Sequence, residues 1–200
     1  MSTVSTARFE FHTTSLQGVW RVSRKPIVDD RGFFSRLYCA QEFAAIELAK
    51  PLAQINHSFS RLRGTVRGLH FQYPPHGESK VVTCVAGRIF DVAVDLRRGS
   101  PSFLHWFGTE LSADNRESLV IPPGFAHGFQ TLSDDSEIVY LVTAAYCAQA
   151  EDGINPFDPA VSIRWPQPVT EISQRDAQRE MLNLTKYTGV DDAAPEARHD

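Results

Sequence analysis

The chain has 200 residues, 42% hydrophobic and 22% charged, with a formal charge of −4. That balance suits one ordinary globular domain and argues against binding nucleic acid through net charge; no apolar run nears the ~18 residues of a membrane helix. The opening MSTVSTARFEF has no basic-then-apolar leader, and three widely spaced cysteines (Cys39, Cys84, Cys147) define no disulfide framework, so a reducing, cytoplasmic setting is expected.

In chain order, the first 165 residues read mostly as short β-strands, with one short helix over residues 40–48 (AQEFAAIEL). Strand-like runs fall at 81–86, 89–96, 119–121, 128–132 and 138–143. Turn signals separate them: Tyr73-Pro74-Pro75-His76-Gly77, Ala86-Gly87-Arg88, Arg98-Gly99-Ser100-Pro101, Pro122-Pro123-Gly124 and Ser133-Asp134-Asp135. Within 88–97, Phe90, Val92, Val94 and Leu96 share one face, and Asp91, Ala93 and Asp95 the other. This is the alternation of a strand in a two-sided sheet. A C-terminal helix is expected over 172–182, with Ser173 near its start, and the polar end 189–200 is expected to fray. The expectation is one all-β domain over 1–200, with its core at about 15–167 and a C-terminal helix and tail at 168–200. A sandwich or barrel fits, and a jelly roll is among the options.

The strongest local signal is Gly64-x5-His70-x-Gln72-x7-Lys80-x6-Gly87, followed by Pro122-x-Gly124-x2-His127. The pair resembles the two motifs of the cupin superfamily, whose members are small jelly-roll barrels. In metal-binding cupins the first motif supplies two His and a Glu, and the second another His. Here Gln72 and Lys80 stand at two of those positions, and a protonated Lys repels a cation. The expectation is a cupin jelly-roll barrel with short peripheral and C-terminal helices, no metal and no cofactor. His57, His76 and His105 carry no assignment.

A neutral imidazole accepts a proton near neutral pH, and a fixed ammonium stabilises an oxyanion. Together, His70 and Lys80 suit proton abstraction next to a carbonyl through an enolate. Inversion needs a second group on the opposite face, and Tyr140 offers a phenol. A carboxylate beside the His would orient it, with Asp91, Asp95 and Asp158 as candidates. Arg31, Arg61, Arg63 and Arg67 point to a phosphorylated or nucleotide ligand.

Beyond the superfold, three runs resemble the dTDP-4-dehydrorhamnose 3,5-epimerase family. They are Arg67-Gly68-Leu69-His70-Phe71-Gln72 with Lys80, Phe90-Asp91-Val92-Ala93-Val94-Asp95-Leu96-Arg97, and Ile121-Pro122-Pro123-Gly124-Phe125-Ala126-His127-Gly128-Phe129. Arg31-Gly32-Phe33-Phe34, Asp158-Pro159 and Ile163-Arg164-Trp165-Pro166 add to it, over about residues 15–180. The resemblance implies a base at His70 paired with Asp158, an acid at Tyr140, and Lys80 beside the sugar C4 oxygen. It implies substrate contacts at Arg31, Phe33, Gln54, Asn56, Arg67, His127, Tyr146 and Glu151. It further implies a nucleotide-diphosphate sugar substrate, a homodimer whose Arg-Gly-Phe-Phe loop crosses to the partner's site, and no nucleic-acid or membrane partner. The family's Glu five residues after Arg31 is Arg36 here, and its Trp two residues before Asp158 is Pro156. Both changes fall on the nucleotide side. Alternatives are a C3-only or C5-only epimerase of a CDP or GDP sugar and, from other classes, a metal-dependent cupin oxygenase or isomerase or a non-catalytic sugar-binding cupin.

Overall fold

The computed structural model describes residues 2–191. An N-terminal meander, β1 (Thr3–Ser5), β2 (Phe9–Thr13) and β3 (Trp20–Arg24), leads into a hairpin of β4 (Ile27–Asp29) and β5 (Gly32–Phe34). Helix α1 (Ala40–Phe43) runs into a 3-10 turn, Ala44–Ile46, which ends where Glu47 takes a positive φ of 63°. Then come β6 (Gln54–Ser60), β7 (Thr65–Gln72), β8 (Lys80–Ala86), β9 (Arg88–Asp95), β10 (Trp106–Ser112), β11 (Glu117–Ile121), β12 (Phe125–Thr131) and β13 (Ser136–Val142). The short β14 (Glu151–Gly153), β15 (Glu171–Ile172) and α2 (Gln174–Ala177) follow.

The strands form two main sheets, ordered β1-β2-β3-β11-β8-β13-β6 and β10-β9-β12-β7-β14, with β15 added to β7 in parallel. They enclose a cupin-like β-barrel. Its interior is filled by Val82, Cys84, Ile89, Ala93, Leu119, Ile121, Phe125, Phe129 and Ile138. Alternation carries the neighbouring residues outward. On the first sheet, Val81, Val120 and Leu141 meet Phe9, Phe11 and Phe43; on the second, Val92, Val94 and Leu96 meet Leu69, Phe71, Ile154 and Val190. The alternation read in β9 is therefore two buried faces, an aliphatic one outside and an Asp-bearing one inside. Among the described residues, no helix is long and apolar enough to cross a membrane.

Both ends differ from expectation. The core starts before residue 15, because Phe9 and Phe11 are fully buried. The helix expected over 172–182 is one turn, Gln174–Ala177, with Glu171 and Ile172 paired to β7. Tertiary bonds break the helical run: the Leu182 amide donates to Asp158, and the Arg179 side chain donates to Asp152. Fraying does not begin at 189 either. Val190 is buried, and its amide donates to the Leu96 carbonyl at 2.7 Å. Residues 192–200 lie outside the described residues.

One irregularity positions the site. Against β12, His70 pairs with His127 while Arg67 pairs with Phe129, so β7 spends three steps where β12 spends two. The extra residue is a bulge at Gly68, whose φ is +121°. A side chain there is excluded twice over. The backbone angle belongs to glycine, and a Cβ would stand 2.6 Å from Gly128 Cα and 2.8 Å from the His127 carbonyl oxygen. Gly68→Ala is expected to cost about 3 kcal/mol in urea unfolding. An unchanged unfolding midpoint would contradict this account of the bulge.

Candidate active site

The bulge reconciles two residues that simple alternation would separate. His70 and Gln72 lie opposite Leu69 and Phe71, which face the outer cluster, so they look into the barrel. Arg67 lines the same interior, in a cavity of about 130 Å³ shared with Ser58, His127 and Tyr140. Tyr140 follows Ile138 at the strand period. Its register partner on β6 is Asn56, and directly opposed residues share a face. Gln54 pairs with Val142 on that face, and Lys80 on β8 alternates with Val82 and Cys84 inside the barrel.

His70 has a carboxylate, though not the one expected. Its Nε2 lies 2.7 Å from Asp176 Oδ1 on α2. Ser173 caps α2 by accepting from the Asp176 amide, and Asp176 Oδ2 accepts from the Gly68 amide at 3.3 Å. Burial pushes the Asp176 carboxyl up. The hydrogen bond and charge of His70, with Ser173 and the Gly68 amide, outweigh that and hold it below its ordinary value.

Asp158 therefore does not pair with His70. It is 1% exposed and occupied elsewhere: Oδ1 accepts from the Ala160 amide at 2.8 Å and Oδ2 from Leu182 at 2.5 Å. It fastens the C-terminal segment to the loop after β14. The other candidates are also engaged. Asp91 Oδ1 lies 2.7 Å from His127 Nε2. Asp95 binds Arg97, Ser100 and Ser102; burial works against its ionisation, but these partners hold it down at about 2.

The basic groups come with counter-charges that sequence reasoning missed. Lys80 Nζ lies 2.6 Å from Glu78 Oε1, with both side chains about nine-tenths buried. Arg67 donates to neutral acceptors, Ser60 Oγ and the Phe59 carbonyl, both at 3.0 Å. Gln72 accepts from the Cys147 amide at 2.6 Å and donates to the His76 and Ala145 carbonyls, so its amide braces two loops. Burial raises the Tyr140 phenol above its ordinary value; the Glu78 charge adds to this and Arg67 opposes it.

Other expected contacts lie around this centre or away from it. Gln54 accepts from the Tyr146 amide at 3.0 Å, and the Tyr146 ring is exposed. Glu151 is held by Arg175. Arg31 and Phe33 sit on the exposed β4–β5 hairpin. Arg31 is bound to Asp29, and Phe33 lies under Arg116, its ring centroid 4.5 Å from the guanidinium carbon. Arg116 is five residues from Ile121, the register partner of Lys80, or roughly 16 Å along an extended strand. Within one chain the hairpin thus lies away from Lys80. Arg36 pairs with Glu42 at 3.5 Å, and Pro156 is buried with its carbonyl accepting from the Trp165 indole. Arg63 binds Gln167 and the Asp134 loop.

Arg179 also escaped the sequence reading. Its side chain is 13% exposed. Nη1 lies 3.0 Å from Asp152, and Nη2 and Nε lie 3.8 Å from Glu151 and Asp176. One guanidinium thus offsets three carboxylates behind the His70 dyad. Arg179→Leu is expected to cost about 3 kcal/mol at neutral pH, because it strands buried negative charge. The loss should shrink as the pH falls and those carboxylates protonate. A loss independent of pH would contradict the charge account.

Among known proteins, the profile of the dTDP-4-dehydrorhamnose 3,5-epimerase family matches residues 13–183. The dTDP-4-dehydrorhamnose 3,5-epimerase of Sinorhizobium fredii is 42% identical over 173 residues, 86% of this chain and 89% of that one. The dTDP-4-dehydrorhamnose 3-epimerase of Streptomyces niveus is 40% identical over 176 residues, 88% and 84% of the two chains. The crystal structure of the dTDP-6-deoxy-D-glucose-3,5-epimerase of Legionella pneumophila, in complex with dTDP-4-keto-L-rhamnose, superposes with a TM-score of 0.86 at 35% identity. That match covers 93% of this chain and 100% of that one.

Proposed function

The chain belongs to the dTDP-4-dehydrorhamnose 3,5-epimerase family, and on that premise we propose that it converts dTDP-4-dehydro-6-deoxyglucose to dTDP-4-dehydrorhamnose by inverting C3 and C5 without a cofactor. The observation that carries this reading is the His70–Asp176 pair opening into the same barrel interior as Tyr140 and Lys80.

Asp176 holds the His70 ring by one nitrogen and stabilises the imidazolium that forms. His70 takes the proton from the carbon next to the C4 ketone. The C–H electron pair moves through the new C=C bond onto the C4 oxygen, where the Lys80 ammonium meets the negative charge. The Tyr140 phenol then gives a proton to the opposite face, and the electron pair returns from oxygen to form that C–H bond. Its burial suits the task, since it keeps the hydroxyl protonated. Repetition at the second carbon completes the reaction with no net redox change. His127, fixed by Asp91, and Arg67, Asn56 and Gln54 are assigned to the substrate, and Tyr146 and Glu151 to its nucleotide end.

We further assign a homodimer. Its support is the β4–β5 hairpin, which exposes Ile27, Val28, Phe33 and Phe34 and pairs only with itself among the described residues. In this reading Arg31 and Phe33 reach the partner's substrate. Three free cysteines suit a reducing compartment, here the cytoplasm.

A single-carbon reading is kept because a 3-epimerase is nearly as similar to this chain as a 3,5-epimerase. In D2O, the full reaction incorporates deuterium at both C3 and C5 of the dTDP-linked 4-keto sugar, whereas uptake at C3 alone reassigns it to one carbon. No uptake with dTDP-, CDP- or GDP-linked substrates sinks the proposal. His70→Ala and Asp176→Asn should lower exchange at least about 100-fold, and Tyr140→Phe should slow inversion more than exchange. Asp158→Asn should lower stability and leave exchange within about threefold of the parent. Sedimentation should give a dimer, and a fully active monomer would remove the partner's hairpin from the site.

A further inference from the structure

Glu78 precedes Lys80 by two residues, on the turn between β7 and β8, and belongs to no motif in the sequence. Its burial is unusual for a carboxylate, with only 10% of the side chain exposed. Both oxygens are held. Oε1 lies 2.6 Å from Lys80 Nζ, and Oε2 accepts from Gln72 Nε2 at 3.3 Å. Gln72 is itself fixed by Cys147, His76 and Ala145. Glu78 therefore sits in a rigid mount rather than on a solvated turn.

From that mount it acts on two groups. Lys80 pairs with Val142 across β8 and β13, and Tyr140 lies two residues along the same face. The Tyr140 phenol feels the Glu78 charge as well as its own burial. Lys80 must be an ammonium to meet an enolate, and Tyr140 must be a phenol to give up a proton. One buried negative charge holds the Lys80 ammonium in place and favours the protonated phenol of Tyr140.

We propose that Glu78 is a positioning residue for the epimerisation, aiming the Lys80 ammonium and favouring the neutral Tyr140 phenol. The proposal rests on the roles given above to Lys80 and Tyr140. It also explains how a lysine is accommodated in the barrel interior, where an unpaired ammonium is costly. The other charged groups facing this end are Arg67 from β7, the His127–Asp91 pair from β12 and β9, and the His70–Asp176 pair from β7 and α2. The alkaline side of the profile reports the Tyr140 phenol, whose protonated form burial and the Glu78 charge both favour.

Glu78→Gln keeps the shape and the Gln72 contact and removes the charge. Its alkaline limb of kcat for deuterium exchange should move down by about one pH unit, with KM within about threefold. Glu78→Asp, which restores the charge, should return the limb towards the parent. The Tyr140 ring, followed by 13C-tyrosine NMR in the unliganded protein and assigned with Tyr140→Phe, should deprotonate at lower pH in Glu78→Gln. Superimposable pH profiles and an unmoved Tyr140 titration would overturn the proposal. If Glu78→Gln fails to fold, the same two comparisons are made between Glu78→Met, which also lacks the charge, and the parent: a lowered alkaline limb supports the proposal and an unshifted one overturns it. Should the parent exchange no sugar, the epimerase reading fails, while the NMR titration still decides whether Glu78 controls Tyr140.

Discussion

Between Arg67 and His70 the β7 strand carries one residue more than its partner β12, and much of the site depends on that insertion. In a regular strand the two side chains would leave the sheet on opposite faces. The bulge at Gly68 brings both into the barrel, and it turns the Gly68 amide out of the ladder towards Asp176. One irregularity thus aims the proposed base, brings in a guanidinium and supplies a donor to the carboxylate that orients the base. Gly128 allows it from the other side, since its Cα stands where a Gly68 side chain would go. Both strands are specialised for one close approach.

The barrel interior manages charge by local pairing. His70 has Asp176, His127 has Asp91 and Lys80 has Glu78, each at 2.6 or 2.7 Å. The sequence suggested a cluster of basic side chains awaiting an anion. In the folded chain Lys80 and His127 already have carboxylates, and Arg31 is paired on an exposed hairpin. Arg67, which donates to a hydroxyl and a carbonyl, can exchange those neutral acceptors for a phosphate at small cost. On the proposed reading, His70 and Lys80 serve the proton chemistry, and Arg67 and His127 the ligand.

The barrel was legible in the sequence because its strands obey a period of two and stop at Gly and Pro turns. β8, β9, β11 and β13 lie within about two residues of their expected bounds. That His70, Lys80 and His127 share the barrel interior was legible from the spacing of the two motifs, whereas Tyr140 lies in neither motif and was picked as an available phenol. The partner of His70 was not. Asp176 lies 106 residues away on a one-turn helix whose location depends on β15 docking along Thr65 and Val66. Asp158 sits beside a recognisable dipeptide, yet its environment is set by the amides of Ala160 and Leu182. Arg179 was invisible for a related reason, since it matters through fold-back contacts that alternation does not bring near; Glu78, two residues before Lys80, was missed because nothing in its loop sequence marks it as buried.

The C-terminal segment therefore links stability to chemistry. Residues beyond β13 cover the outer face of the second sheet, where Ile154, Val161 and Val190 bury Leu69, Val92 and Leu96. The same segment delivers Asp176 to His70 and Arg179 to the carboxylates behind it. Its regular hydrogen bonding is sparse, two residues of strand and one turn of helix, so its docking rests on side chains such as Asp158 and Asn155, which accept from or donate to its backbone. Segments held this way open at lower free energy than central strands. The barrel can then persist while the dyad is apart, so loss of the base and loss of the fold are separable events.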